Sequence, residues 1–486
     1  MLDQSEVPIK QQNQINKEKI NEEKEKIPKI IKINDNKDYN TIKKGNKLSY
    51  LKIEKRYLFL KLFILFNLLS PVLNTYCITM KLIGSGTHQI INENYVGNIK
   101  VYIDGTEKTL TGNTIELSET DNKIVNIECL SDFTNCYNMF KDLQNIEEID
   151  LSNFIGSNVL SMKSMFNNTV NIKKIIFPSY FDVSKVENMD HMFSGCASLE
   201  SVNLNGFITT NLNNMEWMFY NCSSLETLDL SSFDTSKVTT MNYTFSHCSN
   251  LNNLNINNWN TGLVVGMKEM FKKCNSLTIL DLNHFDTSKV TLMDSMFDTC
   301  EGLETLKIDK FDTSSVTSMA SMFVRCRALT SLNISNFDTS KVTTMVNMFR
   351  FCNELTSLDL SKFNTNSVTN MMNMFGSCNK ILDLDLSSFN TNQVTKIEGM
   401  FSDCNSLKSL DISNFNINSN VVSFKGMFSN CNSLESLNIF SLNSEKNITM
   451  EKMFYNCNNL QTLDFSKISS NVNNIDQIFY GCYNLK

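Results

Sequence analysis

The sequence predicts an α/β solenoid of about 14 units of about 26 residues, with a parallel sheet on its concave side and short helices on its convex side. Three observations predict this fold. Cysteines recur from Cys196 to Cys482, with eight consecutive intervals of 26 residues. A phenylalanine stands three residues before each of these cysteines, and the phenylalanine series begins two units earlier, at Phe140. Leucines in the pattern Leu-x-x-Leu-x-Leu follow most of the cysteines.

The first two predicted parts of the 486-residue chain precede the fold. Residues 1–56 carry 14 basic and 9 acidic side chains without an apolar period, which indicates a disordered basic segment. Residues 57–77 are predicted to be a signal peptide or signal-anchor, because their apolar run is shorter than the ~20 residues of a membrane span. Thr75 and Cys77 are small residues at plausible cleavage positions, so a mature chain would begin near Ile78. An uncleaved anchor and a buried core helix are the alternatives.

The other two predicted parts form the fold. Residues 78–128 alternate apolar and polar side chains, which predicts a small β cap with a turn at Asp104-Gly105. Residues 129–486 hold the repeats, and their unbroken register predicts one array without a domain boundary.

The unit at residues 225–250 shows what each repeat predicts. Its leucines indicate a short strand, after which Phe233 turns inward. Asp234 and the two residues after it suit a helix N-cap. The apolar side chains between Val238 and Cys248 recur at the spacing of one helix face, so a short helix is expected there.

The repeat pattern F-D-T-S-K-V-T-x-M-x-x-M-F-x-x-C-x-S-L-x-x-L-D-L-S resembles the BspA-like leucine-rich-repeat surface proteins. It is most similar to the Met-Phe-rich subtype of mycoplasma lipoproteins and protist surface proteins. The resemblance covers about residues 129–486, although phenylalanine rather than the usual asparagine follows the strand. It implies secretion or surface display and an adhesive or recognition role, and it supplies no catalytic residues.

The periodic cysteines are expected to be small, buried and mostly reduced side chains. Metal binding needs ligands that converge, whereas one cysteine per unit forms a line. Disulfides between neighbouring units are an alternative, but side chains of a parallel ladder point the same way. Cys129 and Cys136 break the period, and a bridge between them is a further alternative. The sequence indicates no catalytic residues, no cofactor and no metal site, and so we do not expect an enzyme.

The residues between the two strand leucines are expected to face outward from the concave sheet. Most of these residues are aspartate or asparagine, so their stacked carboxylates predict attraction for cations or a basic partner. A solvated acidic face without a specific partner is the alternative. The candidate binding residues are Asp229, Asn255, Asp281, Asn333, Asp359, Asp385, Asp411 and Asp464.

The charge balance narrows the function. Residues 78–486 carry 29 basic and 42 acidic side chains, a net charge of −13, which argues against nucleic acid as a partner. We expect a secreted or cell-surface recognition or adhesion protein that binds a protein or glycan at the concave face. An intracellular scaffold and a structural coat protein are the alternatives. Membrane contact is expected only through residues 57–73, if they are not cleaved. The phenylalanine layer at Phe479 is expected to be partly uncovered, which predicts self-association through the C-terminal end.

Overall fold

The computed structural model describes residues 76–119, 123–417, 420–442, 446–468 and 471–486. Residues from Tyr76 to Lys486 form one compact unit. The predicted basic segment and the apolar run at residues 57–73 lie outside the described residues, so both remain predictions.

The segment before the repeats contains six strands and one 3-10 helix. Their bounds are β1 Ile78–Leu82, β2 Gly86–Gln89, the 3-10 helix Glu93–Asn98, β3 Ile99–Ile103, β4 Thr106–Lys108, β5 Thr114–Leu117 and β6 Ile124–Cys129. Asp104 and Gly105 form the turn between β3 and β4, as the sequence predicts, because both adopt left-handed φ angles of 50° and 74°. β1 pairs antiparallel with β6 on one side and with Ile146–Asp150, the first strand of the repeats, on the other.

A disulfide between Cys77 and Cys129 ties this segment together, with Cα atoms 5.8 Å apart. The bridge forms there because β1 and β6 are antiparallel, which brings the start of β1 beside the end of β6. Cys136 is free and buried, so a bridge from Cys129 to Cys136 is wrong. A mature chain that began at Ile78 would lack Cys77, so cleavage at that position and this disulfide exclude each other, and the cleavage remains a prediction.

The repeats contribute short strands that pair in parallel, as predicted. Their bounds are β7 Ile146–Asp150, β8 Lys174–Ile176, β9 Phe181–Asp182, β10 Ser201–Val202, β11 Phe207–Ile208, β12 Thr227–Asp229, β13 Asn253–Asn255, β14 Ile279–Asp281, β15 Thr305–Lys307, β16 Ser409–Asp411, β17 Ser436–Asn438, β18 Ile448–Thr449 and β19 Val472–Asn474. A second 3-10 helix covers Phe465–Lys467. β7, β8, β10, β12 and β13 form one sheet with four strands of the preceding segment. Isolated parallel bridges, such as Ser318 with Thr344, join the units between β15 and β16.

The predicted helices are wrong. The turn segments, which are the eight residues ending at each periodic cysteine, form no α-helix in the described residues. In Met267–Cys274 the backbone amides alternate between two kinds of partner. Met270 N–H donates to Met267 O at 3.3 Å, and Phe271 N–H donates to Met296 O of the next unit at 2.9 Å. An α-helix would pair every amide with the carbonyl four residues earlier, and no amide would remain to join neighbouring units.

Left-handed residues explain why turns replace the helix. Two residues in this segment have positive φ, Glu269 at 54° and Lys273 at 59°, and each breaks a right-handed helix. The residue before the cysteine position is Asn, Asp, Gly or His in nine of fourteen units, and these types tolerate left-handed φ best. Successive four-residue turns therefore produce the same spacing of apolar residues that an α-helix would produce.

The core is a stack of phenylalanine rings along the solenoid, which has about 12 turns. Fourteen rings from Phe140 to Phe479 follow one another with centroids 5.2 to 5.9 Å apart. Methionines such as Met267 and Met270 are fully buried beside the rings. The repeated Met-Phe pairs are therefore core residues, as predicted.

The periodic cysteines are free thiols, and all but the half-buried Cys482 are buried. Each of the twelve donates from Sγ to the carbonyl of the phenylalanine in the preceding unit, at 3.0 to 3.2 Å. The prediction of buried reduced cysteines agrees with this arrangement, which has no bridge between neighbouring units among the described residues. The thiols lie at the ends of the turn segments rather than at the ends of helices.

Candidate binding surface

The acidic column, which consists of the eight candidate residues named above, lies on the outer side of the strand positions. In β12 the sequence Leu228-Asp229 places a buried leucine before a half-exposed aspartate, and Leu230 after it is buried again. Asn255 is likewise half-buried. The other six members are exposed, so the column faces solvent as the sequence predicts.

The acidic column also has a local structural role that sequence reasoning missed. The Oδ1 atom of each member accepts a hydrogen bond from the backbone N–H two residues later, at 2.9 to 3.4 Å. These Asx turns end the strands at Asp229, Asn255, Asp281 and Asp411. Aspartate and asparagine make the same bond, which explains why both occur in the column. The second carboxylate oxygen of each aspartate takes no part in this turn bond.

Serine two residues later keeps most of the aspartates ionised. Hydrogen bonds from Ser361 lower the pKa of Asp359, and those from Ser413 lower the pKa of Asp411. The pKa of Asp385 is also lowered, mainly by Ser387, although the nearby carboxylate of Asp359 acts in the opposite direction. Because a hydrogen bond to the charged form favours ionisation, these carboxylates carry full charge at neutral pH.

Three members of the acidic column converge on one groove. Asp385, Asp411 and Asp464 line a cavity of about 1020 Å³ together with Asp383, which the sequence analysis did not include. Leucines such as Leu410 contribute apolar surface to the same groove. Four aspartates therefore line one groove. Lys486 is the only cationic side chain among the residues that line it in the described part of the chain.

The remaining members of the acidic column lie outside the groove. Asp281 is paired with Lys307, whose Nζ atom is 3.0 Å from its Oδ2 atom, so the charge there is neutralised. Asp229, Asn255, Asn333 and Asp359 do not line the groove. The groove thus holds three carboxylates of the column, and the charge of Lys467 helps to lower the pKa of Asp411 and Asp464.

A cluster of aromatic side chains on the turn segments was missed from the sequence. The Trp217 ring stacks on His191 at 5.4 Å and on Tyr243 at 3.7 Å between centroids. Tyr220 contacts Trp217 edge-on, and His247 lies beside Tyr220. The signal was present, because His191, Trp217 and Tyr243 are spaced by 26 residues. The faces of Trp217 are occupied by its neighbours, which indicates a stabilising stack between units.

Two further observations concern membranes and metals. Every helix in the described residues is too short or too polar to cross a bilayer. Across the same residues, His, Cys, Asp and Glu side chains form no group of three that could hold a metal ion.

The repeats match a protein-family model. The family DUF285, described as a Mycoplasma protein of unknown function, matches residues 134–228, 222–306, 301–415 and 379–486. The chain belongs to the DUF285 family. No curated protein matches it. This DUF285 chain is a repeat solenoid, and its assignment to the leucine-rich-repeat proteins of the BspA-like type remains a prediction.

Several solved structures are similar to this DUF285 chain. A leucine-rich repeat protein from Eubacterium ventriosum is 18% identical over 71% of this chain and 90% of that chain, with a TM-score of 0.34. The functional domain of InlJ from Listeria monocytogenes, which includes a cysteine ladder, is 17% identical over 64% and 66%, with a TM-score of 0.19. The Toll–Spatzle complex of Drosophila is 15% identical over 64% and 47%, with a TM-score of 0.21.

Proposed function

We propose that this protein is a non-enzymatic recognition scaffold that binds a basic protein segment in the acidic groove. The observation that carries the proposal is the convergence of Asp383, Asp385, Asp411 and Asp464 on one cavity of about 1020 Å³. Lysine and arginine side chains complement this charge, and the exposed column continues the negative potential toward Asp359. A protein partner is favoured over a glycan because neutral sugars carry no positive charge to complement the four carboxylates.

The solenoid supports recognition because it holds the carboxylates at fixed spacing. Hydrogen bonds and ring stacking join every unit to its neighbours, so little ordering is needed when a partner binds. Secretion or display at the cell surface, with the groove on the concave face, is the location that we propose for this activity. An intracellular scaffold would use the same groove. Proteolysis of intact cells distinguishes the two, because only a displayed chain is cut.

The groove is tested with a charge-neutralising variant that keeps the Asx turns. Asp385→Asn, Asp411→Asn and Asp464→Asn are combined, since Asn255 and Asn333 already make the same turn bond. Binding of a decalysine peptide at 0.15 M salt is measured by calorimetry. Three exposed charge pairs at ~0.5 kcal/mol each predict a loss of affinity of about tenfold.

A matched control changes three aspartates elsewhere on the repeats. Asp234, Asp286 and Asp338 are exposed, and each also accepts a bond from the serine two residues later. Their combined change to asparagine removes the same total charge. The proposal predicts that this control binds decalysine like the wild type. Equal loss in the control would show that only net charge matters, and unchanged binding by the groove variant would rule the groove out.

A further inference from the structure

Arginines are concentrated at one place in the repeats, on the turn segments rather than on the acidic column. The chain has only four arginines, at Arg56, Arg325, Arg327 and Arg350. Three of them fall in two neighbouring units. Every other cationic side chain of the repeats, histidines aside, is a lysine.

Two of these arginines share one aromatic ring. The guanidinium carbon of Arg350 lies 4.7 Å from the centroid of the Phe351 ring, and that of Arg325 lies 5.1 Å from it. The backbone N–H of Arg325 donates to the backbone carbonyl oxygen of Arg350 at 2.8 Å, and this hydrogen bond fixes the register of the two units. Stacking on a ring uses the face of a guanidinium and leaves its in-plane N–H groups free to donate.

Phe351 holds this platform in an unusual backbone conformation. Its φ is 63°, in the left-handed region that a bulky aromatic residue rarely adopts. The equivalent position has positive φ in every unit and is most often Asn, Asp, Gly or His, although Lys273 and Arg325 also occupy it. The Phe351 ring therefore stands at a position where the backbone conformation favours a smaller residue. The positively charged guanidinium groups of Arg325 and Arg350 both lie beside this ring.

Neither Arg325 nor Arg350 is neutralised by contact with a carboxylate within the described part of the chain. Arg327, by contrast, pairs with Glu301 at 3.3 Å. The Nε atom of Arg350 is buried and has no hydrogen-bond partner there. Burial, followed by the positive charge of Arg325, lowers the pKa of Arg350, and the carboxylate of Asp403 acts in the opposite direction.

We propose that Arg325 and Arg350, held by Phe351, bind a phosphate group, either free or as a monoester on a larger molecule. A phosphate dianion balances two guanidinium charges and accepts bidentate hydrogen bonds from each fork. It would also satisfy the buried Nε atom. The site lies on the turn segments and is separate from the acidic groove, so the two can be occupied by different ligands.

The number of arginines makes a direct test feasible. The full chain is labelled with ¹⁵N-arginine, and the Nε–Hε signals are followed during titration with inorganic phosphate, phenyl phosphate or sodium chloride at matched ionic strength. The proposal predicts saturable shifts of the Arg325 and Arg350 signals with at least one phosphate compound, no shift with chloride, and no shift of Arg327. Binding of both compounds identifies free phosphate as a sufficient ligand, whereas binding of phenyl phosphate alone identifies a monoester.

Variants separate specific binding from general attraction. Arg325→Lys with Arg350→Lys keeps both charges but loses the planar forks, and affinity for phosphate should fall at least about tenfold. Arg327→Lys is the matched control and should bind like the wild type. Absence of saturable shifts in the wild type would overturn the proposal, as would equal affinity of the double lysine variant. A water between Arg350 Nε and the unpaired Asn347 Oδ1 would give that negative result.

Discussion

At the residue scale, a threonine hydroxyl in an early unit makes the same hydrogen bond that cysteine thiols make in the later units. Thr169 Oγ1 donates to Phe140 O at 2.7 Å, and Cys196 Sγ donates to Phe166 O at 3.2 Å in the next unit. A small buried donor is therefore what this position requires, and an unpaired phenylalanine carbonyl would be costly in the core. The sequence alone shows threonine in place of cysteine but not the bond that both make.

Buried thiols predict loss of stability in alkali. Burial raises the pKa of Cys300 and Cys352 to about 12, whereas a thiol in the unfolded chain titrates near ~8.5. Below pH ~8.5 both states are protonated and the contribution to stability is complete. Above that pH only the unfolded chain releases protons, so the free energy of unfolding should fall as pH rises toward 12.

Urea unfolding between pH 7 and pH 10 measures this effect. The variant Cys300→Thr with Cys352→Thr, which copies the natural threonine at Thr169, keeps the hydrogen-bond donor and removes two titrating groups. Its midpoint should fall less steeply with pH than that of the wild type. Identical slopes would mean that tyrosines and lysines, rather than the buried thiols, govern alkaline unfolding.

At the element scale, the strands were predictable and the turn segments were not. Period-two alternation in β3 and the leucine pattern in β12 reflect burial of one side of each strand, and the order of apolar and polar residues alone reveals it. In Met267–Cys274 the same burial arises from two left-handed turns, and apolar spacing cannot distinguish these from a helix. The acidic column was predictable as a column. The groove that Asp385 and Asp411 line depends on how neighbouring units stack, and it was not predictable.

The left-handed positions predict a stabilising substitution. Thr299 has a φ of 63°, although β-branched residues are strongly disfavoured there. Asparagine tolerates this conformation, so Thr299→Asn should raise the free energy of unfolding by about 1 kcal/mol. Thr278→Asn, at an exposed position without positive φ, is the control and should change little. Thermal unfolding of both variants provides the comparison, and destabilisation by Thr299→Asn alone would contradict the strain argument.

The disulfide between Cys77 and Cys129 predicts that a reductant lowers the stability of the protein by breaking this bond. Cys77 and Cys129 are separated by 52 residues, and closing a loop of that length stabilises by about 4 kcal/mol. Dithiothreitol should lower the melting temperature of the wild type to that of the variant Cys77→Ser with Cys129→Ser. It should not affect the variant, because the periodic cysteines are already free. A reductant effect that persists in the variant would reveal other bridges.

At the scale of the whole molecule, stability is shared between neighbouring units. The stack from Phe140 to Phe479 and the thiol bonds connect each unit only to the next. Such an array has no internal surface at which a domain could separate, which keeps the prediction of one cooperative array. Limited proteolysis that released a stable fragment from the middle would contradict it.

The region around Phe479 predicts self-association of the chain. One face of the Phe479 ring stacks on Phe454, with centroids 5.6 Å apart, yet 38% of the residue is exposed. Ile475 is 59% exposed and Tyr483 is 82% exposed, so these side chains and Phe479 form an exposed apolar patch. A second copy that packs its own patch against this one would bury both patches, and sedimentation should show a concentration-dependent dimer.

Polar substitutions at this surface test the dimer. Ile475→Ser with Tyr483→Ser removes apolar area from both partners and should weaken dimerisation by at least about tenfold. Tyr180→Ser changes a tyrosine that is 70% exposed in an early unit, and it should leave the dimer intact. Because this contact buries apolar side chains rather than charges, raising the salt concentration should not dissociate the dimer. A monomer at all concentrations, or a dimer that only the Tyr180 variant weakens, would show that the patch around Phe479 makes no contact.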